Sequence, residues 1–158
     1  MRKLFLSILF IGLIGLLAAC GGTSHEPVDI SMDTDQCYTC HMGIEDLDAA
    51  TQVILEDGTP RVFDDIGCML VYFQETDDDI AVSYVVDRGT GAWIDMEDAY
   101  FVHDENIQTP MSYGFIAFDS EEAATAHGNG EVISADALKD INVSELEDWY
   151  RGHSDGHH

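Results

Sequence analysis

The chain has 158 residues and a formal net charge of −25, with 31 acidic residues against six basic ones. That balance excludes nucleic-acid binding, because phosphate contacts need Lys and Arg. An apolar content of 46% excludes simple disorder and suffices for one packed domain or two very small ones.

Residues 1–19 read as a secretory signal peptide. Arg2 and Lys3 form a charged start, an apolar run from Leu4 to Leu17 follows, and Leu17-Ala18-Ala19-Cys20 closes it with small residues. The run is too short for a spanning helix. The closing residues form a lipobox, so Cys20 is expected to be the lipidated first residue of the mature protein. Setting Arg2 and Lys3 aside leaves four basic residues against 31 acidic ones, a formal charge of −27 spread over the whole chain. Residues 20–35 read as a lipidated acidic tether without periodicity.

Cys37-Tyr38-Thr39-Cys40-His41-Met42 comes next. Strands are expected at residues 51–55 and 61–63, joined through Asp57-Gly58, a hairpin signal. Asp64 is placed to cap a helix over residues 65–73, with Ile66, Met69, Leu70 and Phe73 on one face. Residues 80–86 alternate as a strand. The second half repeats the plan: strands at 100–103 and 115–118, a helix capped by Asp119 or Ser120 that ends at His127, a stop at Gly128 and Gly130, and a last strand at 131–134. Phe63-Asp64 and Phe118-Asp119 sit 55 residues apart at corresponding strand-to-helix junctions. The fold class is therefore α+β: two packed ββαβ units in a pseudo-repeat after a flexible lipoprotein tether, the first over residues 36–90 with the metal motif and the second over 91–150. Each is too small to bury a core alone. Residues 151–158 form a short polar tail containing His153, His157 and His158.

Cysteine use points to the chemistry. With Cys20 given to lipid, Cys37, Cys40 and Cys68 remain, an odd number in an exported chain and no complete disulfide framework. Cys40, His41 and Met42 place a thiolate, an imidazole and a thioether side by side, and Cys37 adds a second thiolate. Soft sulfur donors select Cu(I), and a thioether discriminates against zinc, magnesium and calcium. In an extended segment Cys40 and Met42 point to the same side, which ranks His41 below the two sulfurs. Met111, between Pro110 and Ser112, completes a Cys-Met-Met site if the two units face each other; the competing reading is packing. His103 at a strand end and His127 at a helix end are weaker candidates. Cys68, within a helix, reads as a small buried hydrophobe.

Other chemistries compete less well. Cys37-Tyr38-Thr39-Cys40-His41 matches the c-type haem attachment pattern, with Met111 as an axial ligand, but the chain reads as strand-rich. A thioredoxin-like pair lacks βαβ context, and structural zinc lacks a fourth ligand. No catalytic triad, carboxylate pair or phosphate loop can be picked out, so an enzyme is not expected.

With these residues in place, the chain resembles the NosL family, lipoprotein accessory factors of nitrous oxide reductase. The resemblance rests on the lipobox, Cys37-Tyr38-Thr39-Cys40-His41-Met42, Arg61-Val62-Phe63-Asp64, Ala92-Trp93-Ile94-Asp95, Ala99-Tyr100-Phe101-Val102, Pro110-Met111, Gly114-Phe115-Ile116-Ala117-Phe118 and Ala126-His127-Gly128-Asn129-Gly130, in that order. It implies two ββαβ units, a fold similar to part of organomercurial lyase, and Cu(I) binding by Cys40 and Met42. It also implies copper supply to nitrous oxide reductase, with the reductase and its membrane maturation and transport complex as partners. Export with a lipid anchor facing the periplasm follows, on the outer membrane in a two-membrane cell. Two positions depart from the expected pattern: His41 stands where many members have Gly, and Ser112 follows Met111 where Gly is expected.

Overall fold

The computed structural model describes residues 23–144. The signal peptide, Cys20 and the histidine tail lie outside the described residues. The elements in chain order are β1 (Thr51–Leu55), β2 (Pro60–Phe63), α1 (Ile66–Glu75), β3 (Ile80–Val86), β4 (Trp93–Asp95), a single 3-10 turn (Met96–Asp98), β5 (Tyr100–His103), β6 (Phe115–Phe118), α2 (Glu121–Ala126), β7 (Glu131–Ser134) and α3 (Ala135–Lys139).

Two antiparallel sheets result, in the orders β2-β1-β3-β4 and β6-β5-β7. The first three strands of one sheet repeat the topology of the other, with α1 and α2 at the same point of each ββαβ unit. The repeat expected from the spacing of Phe63-Asp64 and Phe118-Asp119 is thus present. β4, which follows the expected boundary at residue 90, pairs with β3 (Val86 opposite Trp93) and extends the first sheet instead. Three residues with a half-buried pattern carry too little alternation to announce a strand.

A single core joins the two units. Phe63, Met69, Leu70 and Val85 from the first pack in one cluster with Phe101, Phe115 and Leu138 from the second. A satellite cluster of Val102, Ile116, Phe118 and Ala124 lies under α2. Neither unit closes a core by itself, in keeping with their size. Asp87, buried at the end of β3, ties the units further: its carboxylate accepts from Thr90 N (2.9 Å) and Oγ1 (2.6 Å) and from Asp119 N (3.2 Å).

The helix caps lie one residue later than Asp64 suggested. Asp65 caps α1, its side chain accepting from Cys68 N, and Ser120 caps α2, accepting from Ala123 N. These two positions are themselves 55 apart. Asp64 is occupied elsewhere, accepting from Glu45 N at 3.1 Å.

The tether is shorter than residues 20–35. Within the described residues its chain is strapped to the first sheet. The buried amide of Gln52 in β1 accepts from Val28 N at 2.8 Å and donates to Val28 O at 3.1 Å, imitating a strand neighbour. Tyr84 Oη donates to His25 O at 3.2 Å, and Ile30 packs on the core. A side chain pairing with backbone leaves no periodic trace in sequence, which is why this segment reads as free.

Candidate metal site

The segment around the cysteine motif folds as a small hairpin. Its arms pair at Gln36 and Gly43, Ile44 N donates to Asp35 O at 3.3 Å, and Cys37 N donates to Met42 O at 2.8 Å. The tip closes when His41 N donates to Cys37 O at 2.9 Å, which puts His41 at φ 61° in the left-handed region. L-residues other than Gly, Asn and Asp rarely adopt that region. The glycine expected at this position would relieve that backbone directly. The hairpin is pinned to the first unit by Tyr38 N donating to Val62 O (2.8 Å) and Thr39 Oγ1 donating to Cys68 O (2.9 Å). The Tyr38 ring stands edge-on to Tyr72 at 5.5 Å, with the Arg61 guanidinium 4.6 Å from its centroid.

This docking brings Cys37 and Cys40 onto the first turn of α1, where Cys68 sits. The three Sγ atoms all lie within 4.8 Å of one another. Cys37 and Cys68 are buried and Cys40 is half-buried, so the cluster opens to solvent on the Cys40 side. Met42 follows on the exposed arm, 45% exposed.

The electrostatics divide the thiols. The Cys37 thiol is lowered to about 5, first because the Cys68 thiol donates to it. Burial opposes this, and the N–H groups of Cys40 and Asp64 assist. The Cys68 thiol is pushed up, as the donor of that hydrogen bond and by burial. Cys40 is raised by burial and by the negative charge of Cys37 beside it, although Met42 N–H points at it. Asp64, fully buried, is raised by burial as well. The hydrogen bonds favour ionisation at Cys37 over the other two thiols. Thiolate is the form that binds metal, so a soft cation entering here displaces protons from the other two sulfurs.

The structure sorts the sequence candidates. The Cys37 and Cys40 thiols lie together in the cluster. Cys68, read from sequence as a buried hydrophobe, is buried but belongs to the cluster. Its signals were an odd third thiol in a chain that opens like a secretory signal and its place three residues after Asp65, at a helix N-terminus, where thiolates are favoured. His41 is exposed at the hairpin tip. Met111 packs half-buried against the core, and its N–H donates to Asp65 Oδ2 at 3.0 Å, which places its loop at the N-terminus of α1. Thr109 Oγ1 donates to the same oxygen at 3.1 Å. His103 stacks on Phe115 at 4.4 Å, and His127 caps α2; neither joins the thiol group. Cys37 is buried beside Cys68, and the cluster gathers three thiols where haem attachment uses two.

The NosL family model matches residues 27–143, most of the chain. The chain belongs to the NosL family. No curated protein matches the sequence. Among solved structures, the copper chaperone NosL from Shewanella denitrificans superposes with a TM-score of 0.63 at 16% identity, over 75% of this chain and 97% of that one. The NosL fold is thus shared at low identity, with the two antiparallel sheets described above.

Proposed function

We propose that this NosL protein is an exported, lipid-anchored copper chaperone that carries Cu(I) as cargo and delivers it for maturation of nitrous oxide reductase. The observation that carries the reading is the three sulfurs within 4.8 Å, open on one side. A donor set made of thiolates, with a thioether next to it, selects Cu(I) over harder cations. Cys40 is the central ligand because it lies at the open side of the cluster, beside the Cys37 and Cys68 thiols. Cys37 and Cys68 complete the seat from within. Met42 is the outer ligand, exposed on the hairpin arm where an incoming partner's donors meet the ion first. His41 and Met111 are tuning residues. A lipid on Cys20 fixes the protein to the membrane on its periplasmic side.

Competition with a chromogenic Cu(I) chelator under reducing conditions tests the site. Cys40→Ser, Cys37→Ser and Cys68→Ser are each expected to weaken binding at least about tenfold, since each removes an anionic donor. Met42→Leu is expected to cost less affinity but more of the preference over Zn(II). If Cys68→Ser binds as the parent does, the seat is confined to the hairpin. If Cys40→Ser does, the site lies elsewhere. Cys20→Ser should move the protein from the membrane to the soluble fraction.

A further inference from the structure

The large apolar side chains that stand exposed are not scattered. Among the described residues they are Met32, Tyr38, Met42, Leu47 and Val132, and only Val132 lies away from residues 32–47. Met32 is 54% exposed and Leu47 39%, values that serve no packing role. The bridge of Gln36 to Gly43 and the Ile44-to-Asp35 hydrogen bond pair the two arms of this segment, so Tyr38 and Met42 stand on the hairpin that presents Cys40, and Met32 and Leu47 stand in the turns that flank it. Exposed apolar groups gathered on one element mark an interaction site. The groove beside the hairpin tip is lined by Tyr38, His41 and Tyr72 together with Glu75, Asp77 and Asp78. Its near cation, Arg61, is held over the Tyr38 ring and 4.0 Å from Asp78.

We infer that the hairpin 32–47, with the acidic flank Glu75, Asp77 and Asp78, is the docking surface for the protein that takes the copper, and that this acceptor meets it with an apolar patch rimmed by Lys and Arg next to its own copper ligands. The inference rests on the copper-carrying reading above and adds the chemistry of the partner. Charge complementarity decides the occupant. A second copy of this chain would bring the same three carboxylates against each other in a two-fold contact, with a formal charge of −27 on each mature chain. An anionic bilayer would be repelled by the same flank. A basic-rimmed acceptor is steered to the flank, and its apolar patch then covers Met32 and Leu47 while Met42 holds the outer side of the ion.

The test uses the mature protein loaded with Cu(I) and two variants that spare every proposed copper ligand: Met32→Ser/Leu47→Ser and Glu75→Gln/Asp77→Asn. Cu(I) transfer is followed to two acceptors, a small chromogenic chelator and the copper-free nitrous oxide reductase maturation assembly of the same cell. The chelator needs no docking, so all three proteins should give copper to it at the same rate. Transfer to the assembly should slow about tenfold in the apolar variant. In the charge variant it should slow at low salt and lose most of the salt dependence seen in the parent. Equal transfer rates and equal salt dependence for all three proteins would overturn the surface while leaving the copper site standing. Concentration-dependent dimerisation of the parent in sedimentation, abolished by the apolar variant, would assign the face to a second copy and overturn the inference as well. A parent that loads the chelator but never the assembly overturns the delivery reading and this surface with it.

Discussion

Replacing Asp65 should separate the capping of α1 from its bracing by the second unit. The carboxylate is 1% exposed and serves both tasks with different oxygens. Oδ1 accepts from Cys68 N at 3.0 Å, while Oδ2 accepts from Thr109 Oγ1 at 3.1 Å and Met111 N at 3.0 Å. Asp65→Ala removes the cap, about 1 kcal/mol. It also strands two part-buried donors at about 1–1.5 kcal/mol each, so the whole loss is about 3–4 kcal/mol. Asp65→Asn keeps an oxygen for Cys68 N, and Asn is as good a cap as Asp. Its amide N–H₂ then faces the Met111 N–H, donor against donor. The expected cost is about 1–2 kcal/mol. It lies low because burial holds the Asp65 carboxyl above its usual range, so desolvation already offsets part of what the carboxylate gains. Urea unfolding of the reduced, metal-free protein reads both values as shifts in midpoint at unchanged slope. If Asn matches the parent within about 0.5 kcal/mol, the 104–114 loop is held by something else. If Asn and Ala are equally damaging, the cap contributes nothing separable.

Three further outcomes follow from single positions. Gly67→Ala would put a Cβ 2.1 Å from the Tyr113 ring; a destabilisation of about 1–3 kcal/mol in denaturant unfolding is expected, largely relieved in a Tyr113→Ala background. His41→Gly should stabilise by about 0.5–1 kcal/mol, because relief of the left-handed backbone outweighs glycine's greater freedom when unfolded; unchanged Cu(I) affinity in chelator competition would mark His41 as a non-ligand, and a clear loss would make it one. Asp87 is raised by burial but held below the ordinary carboxylate range overall by hydrogen bonds from Thr90 and Asp119. Its folded value being depressed, its contribution is present above the unfolded value and fades as pH falls through the folded one, so the stability gap between parent and Asp87→Asn should be full at neutral pH and shrink below about pH 4; a gap independent of pH would show that the charge is irrelevant.

The fold was legible where alternation and turn chemistry agree. Six strands, β1 to β3 and β5 to β7, lie within a residue of their expected spans, because each is bounded by a Gly, Asp or Pro signal. Caps were ambiguous by one residue because Asp64-Asp65 and Asp119-Ser120 each offer two capping side chains, and tertiary demand, Glu45 N on Asp64, chose between them. β4 and α3 escaped because three and five residues hold too little periodicity. At the site, Cys37 and Cys40 were readable from adjacency alone. Cys68 was marked only as a spare thiol near a helix start, since its approach to the other two depends on Thr39 and Tyr38 docking the hairpin across 29 residues of sequence, a long-range event with no local pattern. Both departures from the expected family glycines, His41 and Ser112, fall at φ 61°. The positions that looked like chemical variation are backbone positions first.

The strap across β1 also sets a leash length. The chain is fixed to the first sheet from His25 onward, through Tyr84 and then Gln52. A lipid on Cys20 would leave five residues between bilayer and domain, at most about 17 Å of fully extended chain. A compact domain of this size is about 30–35 Å across, so such a leash would not let the protein sweep through the space beyond the membrane as a tethered shuttle. Cargo would be exchanged with whatever stands on the same membrane surface within one molecular diameter, and a longer linker inserted before His25 would widen that circle without touching a single copper ligand.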